Sequence, residues 1–184
     1  MNDPDAVDAI IAGWKRERPD LDPSPMGVFG RIVRASKLTE AQQEALFGRY
    51  GLSGPELDLL FTLRRAGPPY RLNPTALRRA AMVTSGGMTK RLDRLEALGH
   101  IRRLPDPSDR RGVQVELQPG AIHLTDEVVD AHLANERRLL EPLSPAERKR
   151  VANALRIVLL ALEDAEPPPE PLATRRARRT SRSA

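Results

Sequence analysis

The sequence predicts a mainly α-helical chain interrupted by one small β-hairpin. Three observations carry this. Apolar residues recur at spacings of three and four through most of the chain. Strand-like runs are confined to residues 101–104 and 113–117. Between those runs lies PDPSDRRG, a charged stretch rich in turn formers. The 184 residues suit one domain with appendages. Hydrophobic residues make up 40% of the chain but aromatics only 3%, so Leu, Ile, Val and Ala must fill the core.

Each element has a local reason. Residues 5–17 place Val7, Ile10, Ile11 and Trp14 on one helical stripe. Residues 26–50 read as a longer helix through Val28, Ile32, Val33, Leu38, Ala41, Ala45 and Leu46, with Gly27 and Gly30 weakening its start. Ser53 can cap a helix over 55–65, with Pro55 in the first turn and Glu56 near the positive end. Gly67, Pro68 and Pro69 stop it. Asn73 and Pro74 open a short helix reaching 81. Thr84 or Ser85 opens another, ending at Leu98 with Gly99 as its C-cap. After the hairpin come long helices over 119–140 and 144–165, the second opened by a capping box of Ser144 and Glu147 around Pro145. Three consecutive prolines then break the helical pattern.

The middle of this order is informative. A short helix, the turn Met82-Val83 and a second helix make a helix-turn-helix, and a basic-tipped hairpin follows at once. The expected fold is therefore a winged helix-turn-helix flanked by dimerisation helices. Residues 1–54 hold an extra first helix and a dimerisation helix, 55–118 the winged DNA-binding region, 119–165 the C-terminal dimerisation helices, and 166–184 a disordered tail. Five arginines against two glutamates give that tail three of the five net positive charges. It reads either as a solvated end or as a nonspecific phosphate-binding arm.

On a wheel of about 100° per residue, Met88, Leu92, Leu95 and Leu98 form the inner stripe of the second helix. Lys90 lies opposite, where it can reach phosphate or a guanine edge, and Thr89 and Arg94 flank that outer face. Ser85, Gly86 and Gly87 are small enough to let backbone approach a duplex. At the hairpin tip Arg110 and Arg111 suit a narrow minor groove, and Asp109 can orient one of them through a charge-assisted bond.

Other classes lose support. With no cysteine, the chain has no disulfide framework, Cys-ligated zinc, iron–sulfur cluster or thiol nucleophile. His100, His123 and His132 are isolated, and no Gly-rich phosphate loop follows a strand, so neither an enzyme nor a metal site is expected. So few aromatics disfavour RNA stacking. No apolar run approaches a membrane span, and the acidic start is unlike a signal peptide, so a soluble cytoplasmic protein is expected.

The residues GLSGPELDLLFTLRRAG, LRRAAMVTSGGMTKRLDRLEALGHIRR and DPSDRRGVQVELQPGA resemble the MarR family of bacterial transcriptional regulators, with Asp109, Arg111 and Val115 as the most specific marker. Gln118-Pro119-Gly120 departs from the family, which commonly has a threonine there. The resemblance implies a homodimer that binds a pseudopalindromic operator in double-stranded DNA, usually as a repressor, and is released by a small anionic or phenolic effector. No cofactor is implied. The extra helix with Trp14 further resembles the urate-responsive branch, which implies a ligand site at Trp14, Asp58, Arg91 and Arg103. Residue chemistry agrees. Arg91 falls roughly 45° from the inner stripe, Asp58 sits in a helix apolar nearly all round, and Arg103 shares a strand face with Ile101. Charges so placed need partners or a bound anion. A regulator of another carboxylate or phenolic metabolite, or a ligand-independent DNA-binding protein, fits the same residues.

Overall fold

A computed structural model describes residues 3–82, 87–107 and 109–165, with only the backbone of Arg110 and Arg111. In chain order it contains α1 (Ala6–Glu17), α2 (Met26–Phe47), α3 (Gly54–Arg65), β1 (Arg71–Leu72), α4 (Pro74–Ala80), α5 (Met88–Ala97), β2 (Ile101–Asp106), β3 (Asp109–Leu117), α6 (Pro119–Leu139) and α7 (Pro145–Glu163). A 3-10 turn, Gly48–Tyr50, closes α2. The chain divides into two compact units, Met1–Asn135 and Glu136–Ala184.

The mainly α fold with a β-hairpin is as expected, with one addition. The sheet has three antiparallel strands in the order β1-β3-β2. Two residues carry no period, so β1 was invisible to alternation. Its pairing is nonetheless marked by charge. Glu116 lies opposite both Arg71 and Arg102 and pairs with each, Arg71 Nε donating at 2.7 Å. The hairpin also extends further toward its tip than the sequence implied. There Gly112 is required by space, because a Cβ would come within 2.8 Å of Asp106 Cβ and 3.0 Å of Asp109 Cβ.

The core of the first unit centres on α3. Leu57, Leu59, Leu60 and Leu63 are all 0% exposed, joined by Leu77 of α4, Leu95 of α5 and Val115 of β3. Burying four leucines releases roughly 6–12 kcal/mol of apolar transfer energy. α1 docks on α2 through Val7, and Gly30 makes this close approach feasible: a Cβ there would lie 3.0 Å from Val7 Cγ1. Arg31 of α2 donates to Asp5 at 2.8 Å and Asp8 at 2.7 Å, fastening the same contact. The glycine that weakens a helix locally thus serves its packing.

In the second unit α7 is opened by Ser144, whose N–H donates to Glu147 at 2.8 Å. None of its residues is buried, and Leu155, Leu159, Leu160 and Leu162 are each about half exposed. Among the described residues no helix is long and apolar enough to cross a membrane.

Candidate nucleic-acid interface and ligand cavity

The helix pair α4 and α5 is fixed by α3 from below. Asn73 caps α4 by accepting the Ala76 N–H at 2.8 Å. Met88, Leu92 and Leu95 turn α5 inward, as the wheel indicates, while Leu98 lies at the helix end and is exposed. Gly87 starts α5 with a left-handed φ of 77°, a conformation that costs an L side chain. Thr89 and Lys90 face outward, and Lys90 makes no ion pair among the described residues. Ser85 and Gly86 lie outside the described residues, as do the side chains of Arg110 and Arg111 and all of the tail from residue 166. Asp109 is exposed at the start of β3.

Arg94 differs from expectation. It does not extend along the outer face. Its Nη1 donates to both oxygens of Glu56 at 2.5 Å, and its Nη2 to the Gly51 carbonyl at 3.0 Å. The reason is a buried carboxylate on α3 that the sequence reading used only as a cap. The arginines that sequence reasoning overlooked are Arg78 and Arg79 in the last turn of α4. Both are exposed and make no ion pair among the described residues. Their signal was present: the first helix of a helix-turn-helix crosses the DNA backbone, and two adjacent cations there suit phosphates.

A cavity of about 690 Å³ opens between α2, α3 and α6, lined by Phe47, Asp58, Phe61, Arg65, Met82 and His132 among others. The Phe61 and His132 rings stack with centroids 6.2 Å apart. Two lining residues of α3 hold the backbone that leads into α5. Asp58 Oδ2 accepts the Met82 N–H at 2.7 Å, and Arg65 Nη2 donates to the Ala80 carbonyl at 2.7 Å. The two side chains lie 3.9 Å apart at their nearest charged atoms.

Of the four residues expected at a ligand site, Asp58 alone lines this cavity. Trp14 sits on α1 and is 44% exposed. Arg91 bends toward the start of its own helix, where a Cβ on Gly87 would lie 3.6 Å from its guanidinium carbon. Arg103 points to the core side of the sheet, as expected, but is held there by carboxylates of α5. Its N–H and Nη1 donate to Glu96 at 2.8 and 2.6 Å, and its Nη2 to Asp93 at 2.7 Å.

Electrostatics mark the same anchors. Burial pushes the Glu56 carboxyl up, but the Arg94 guanidinium, the Ser53 N–H and the Ser53 hydroxyl together hold it below the usual carboxylate range. Arg102, against opposing burial and with Arg71, does the same for Glu116. His100 is pushed down by burial first and by the Arg94 charge second, against the opposing charge of Glu56.

A helix pair with an outward cation, followed by a two-stranded wing that pairs back onto β1 and resting on a leucine core, defines a winged helix-turn-helix DNA-binding regulator. The MarR family model matches residues 50–112. The transcriptional regulator PecS of Dickeya dadantii (strain 3937) is 42% identical over 77% of this chain and 86% of its own length. The chain belongs to the MarR family, whose members are transcriptional regulators and not enzymes. Sco3205 of Streptomyces coelicolor, a MarR-family regulator solved in complex with DNA, is 26% identical with a TM-score of 0.70, over 79% of this chain and 91% of that one. The structure of Bordetella bronchiseptica BpsR, whose DNA binding is regulated by 6-hydroxynicotinic acid, shares the fold at 24% identity and a TM-score of 0.65, over 76% of this chain and 94% of that one.

Proposed function

We propose that this protein is a homodimeric, cytoplasmic repressor that binds a pseudopalindromic operator and is released by a small anion, with urate as the ligand. The observation that carries the ligand response is the double role of Asp58 and Arg65. Both line the cavity, and both hold the backbone between Ala80 and Met82 that feeds the recognition helix α5. A flat aromatic anion entering beside Phe61 and His132 competes with Asp58 for Arg65 and loosens that hold. A bias of a few kcal/mol between the two arrangements is enough to empty an operator. Trp14, Arg91 and Arg103 join this site only by moving from the positions described above. For Arg103 that means leaving Glu96 and Asp93.

On the DNA side, Gly87, Thr89 and Lys90 enter the major groove, Arg78 and Arg79 meet phosphates, and the wing arginines Arg110 and Arg111 reach the flanking minor groove. Ser85 and Gly86 belong to the same approach. Dimerisation is supported in each unit separately. Ile10, Phe29 and Val33 in the first, and Leu155, Leu159 and Leu162 in the second, leave apolar faces that their own unit does not cover.

A gel shift on the DNA next to the protein's own gene, at fixed salt, tests the reading. A specific complex that dissolves with urate, but not with xanthine or citrate, supports it. A complex that ignores urate but answers a phenolic or carboxylate metabolite keeps the regulator and replaces the ligand. The Asp58→Ala variant should bind DNA and lose the response; a response equal to wild type would place the ligand elsewhere.

A further inference from the structure

We propose that Arg94 is a positioning residue for operator recognition, setting the pitch of α5 from behind without touching the duplex. This rests on the DNA-binding reading above. Lys90 and Arg94 lie about 40° apart on the helix wheel, so sequence alone gives both the same role. The structure separates them. Both side chains are exposed, but Lys90 makes no ion pair among the described residues, whereas Arg94 is committed to three acceptors on the α2–α3 side.

Those acceptors belong to one corner. Glu56 is only 4% exposed and also accepts the Ser53 N–H at 2.8 Å and the Ser53 hydroxyl at 2.7 Å. Gly51, with a left-handed φ of 68°, ends the turn that closes α2. The guanidinium therefore ties the recognition helix to the junction of α2 and α3. A buried carboxylate strongly favours keeping its cation, so Arg94 cannot swing out to phosphate without stranding Glu56. The fork geometry fixes direction as well as distance, which a lysine at this position would not.

The two roles leave different salt signatures. A cation on phosphate contributes to the slope of log K against log salt on any DNA, about 0.9 per contact. A positioning residue contributes to specific binding only. The test measures Kd against salt for the full-length dimer, on the shifted DNA fragment and on a scrambled duplex of equal length. Arg94→Gln should weaken specific binding by about tenfold or more, and leave the scrambled affinity and both slopes at wild-type values. Glu56→Gln, which keeps the Arg94 charge, should reproduce that pattern. Lys90→Gln should instead lower both slopes by about one per protomer. If Arg94→Gln flattens the slope on scrambled DNA as Lys90→Gln does, Arg94 is a phosphate contact and the proposal fails. It also fails if Glu56→Gln binds the specific fragment like wild type. If Arg94→Gln does not fold, Arg94→Lys replaces it, and an unchanged specific affinity there counts against the fork. A wild-type protein with no specific complex overturns the underlying reading, and this inference with it.

Discussion

α3 and α7 begin alike and end differently. Each is leucine-rich, each has a serine N-cap with proline in the first turn, and in each a glutamate three residues on reaches back to the serine N–H at 2.8 Å. In α3 the leucines vanish into the core and Glu56 is buried against Arg94. In α7 no residue is buried and Glu147 stays partly exposed. The same local code starts both helices. What differs is whether the apolar face is satisfied within its own unit. The α3 face is a matter of folding, and the α7 face, on the reading proposed here, of association.

The sharpest way to break this contrast is to place a charge on each face. Leu159→Asp should put an unpaired carboxylate into the dimer interface, at a cost of several kcal/mol. The expected result is a monomer by light scattering and an operator affinity lower by about a thousandfold, with the leucine core still folded. A dimer that persists would remove α7 from the interface. Next in size, Leu60→Ala should cost about 2–5 kcal/mol in urea unfolding, through lost burial and the cavity left behind. Equal loss at two protein concentrations would mark an intrachain effect, and a concentration-dependent loss would blur the distinction between the helices.

A smaller effect separates the two capping glutamates by pH. The folded His100 has its pKa lowered, so the unfolded chain takes up a proton first as pH falls. Stability should therefore decline from about pH 6.5 downward. Glu56 adds a second decline. Its pKa is depressed on folding, so its contribution is complete above the ordinary carboxylate value and is lost as pH falls through the depressed one. Urea midpoints across pH should show both stages, and His100→Asn should remove the first only. Glu147 is also held below its ordinary value, chiefly by the Ser144 hydroxyl, but without the burial that surrounds Glu56, so Glu147→Gln should leave the acid limb nearly unchanged.

Much of the fold was legible because its signals are local. The stripe of Met88, Leu92 and Leu95 and the Ser144–Glu147 box need only neighbours three and four residues away. The wing follows from a turn-rich stretch between two apolar runs. What stayed hidden depends on partners far along the chain. Arg94 meets Glu56 across 38 residues, so a wheel shows an outward cation where tertiary structure provides a buried anion. Arg103 was legible as facing the core, but its carboxylates come from the neighbouring helix. Asp58 was legible as a charge in an apolar helix that needs a partner, and the Met82 N–H it holds could not be read from spacing. Trp14 looked like an aromatic anchor and is half exposed on α1.

That Met82 amide offers the most direct measurement. Hydrogen exchange at Met82, followed in the wild-type dimer with and without urate and in the presence of operator, reports whether a cavity ligand releases the turn below α5. Urate is expected to raise exchange at Met82 at the concentration that frees the operator, while amides of the α3 core stay protected. Release of DNA with Met82 as protected as before would contradict a response routed through Asp58.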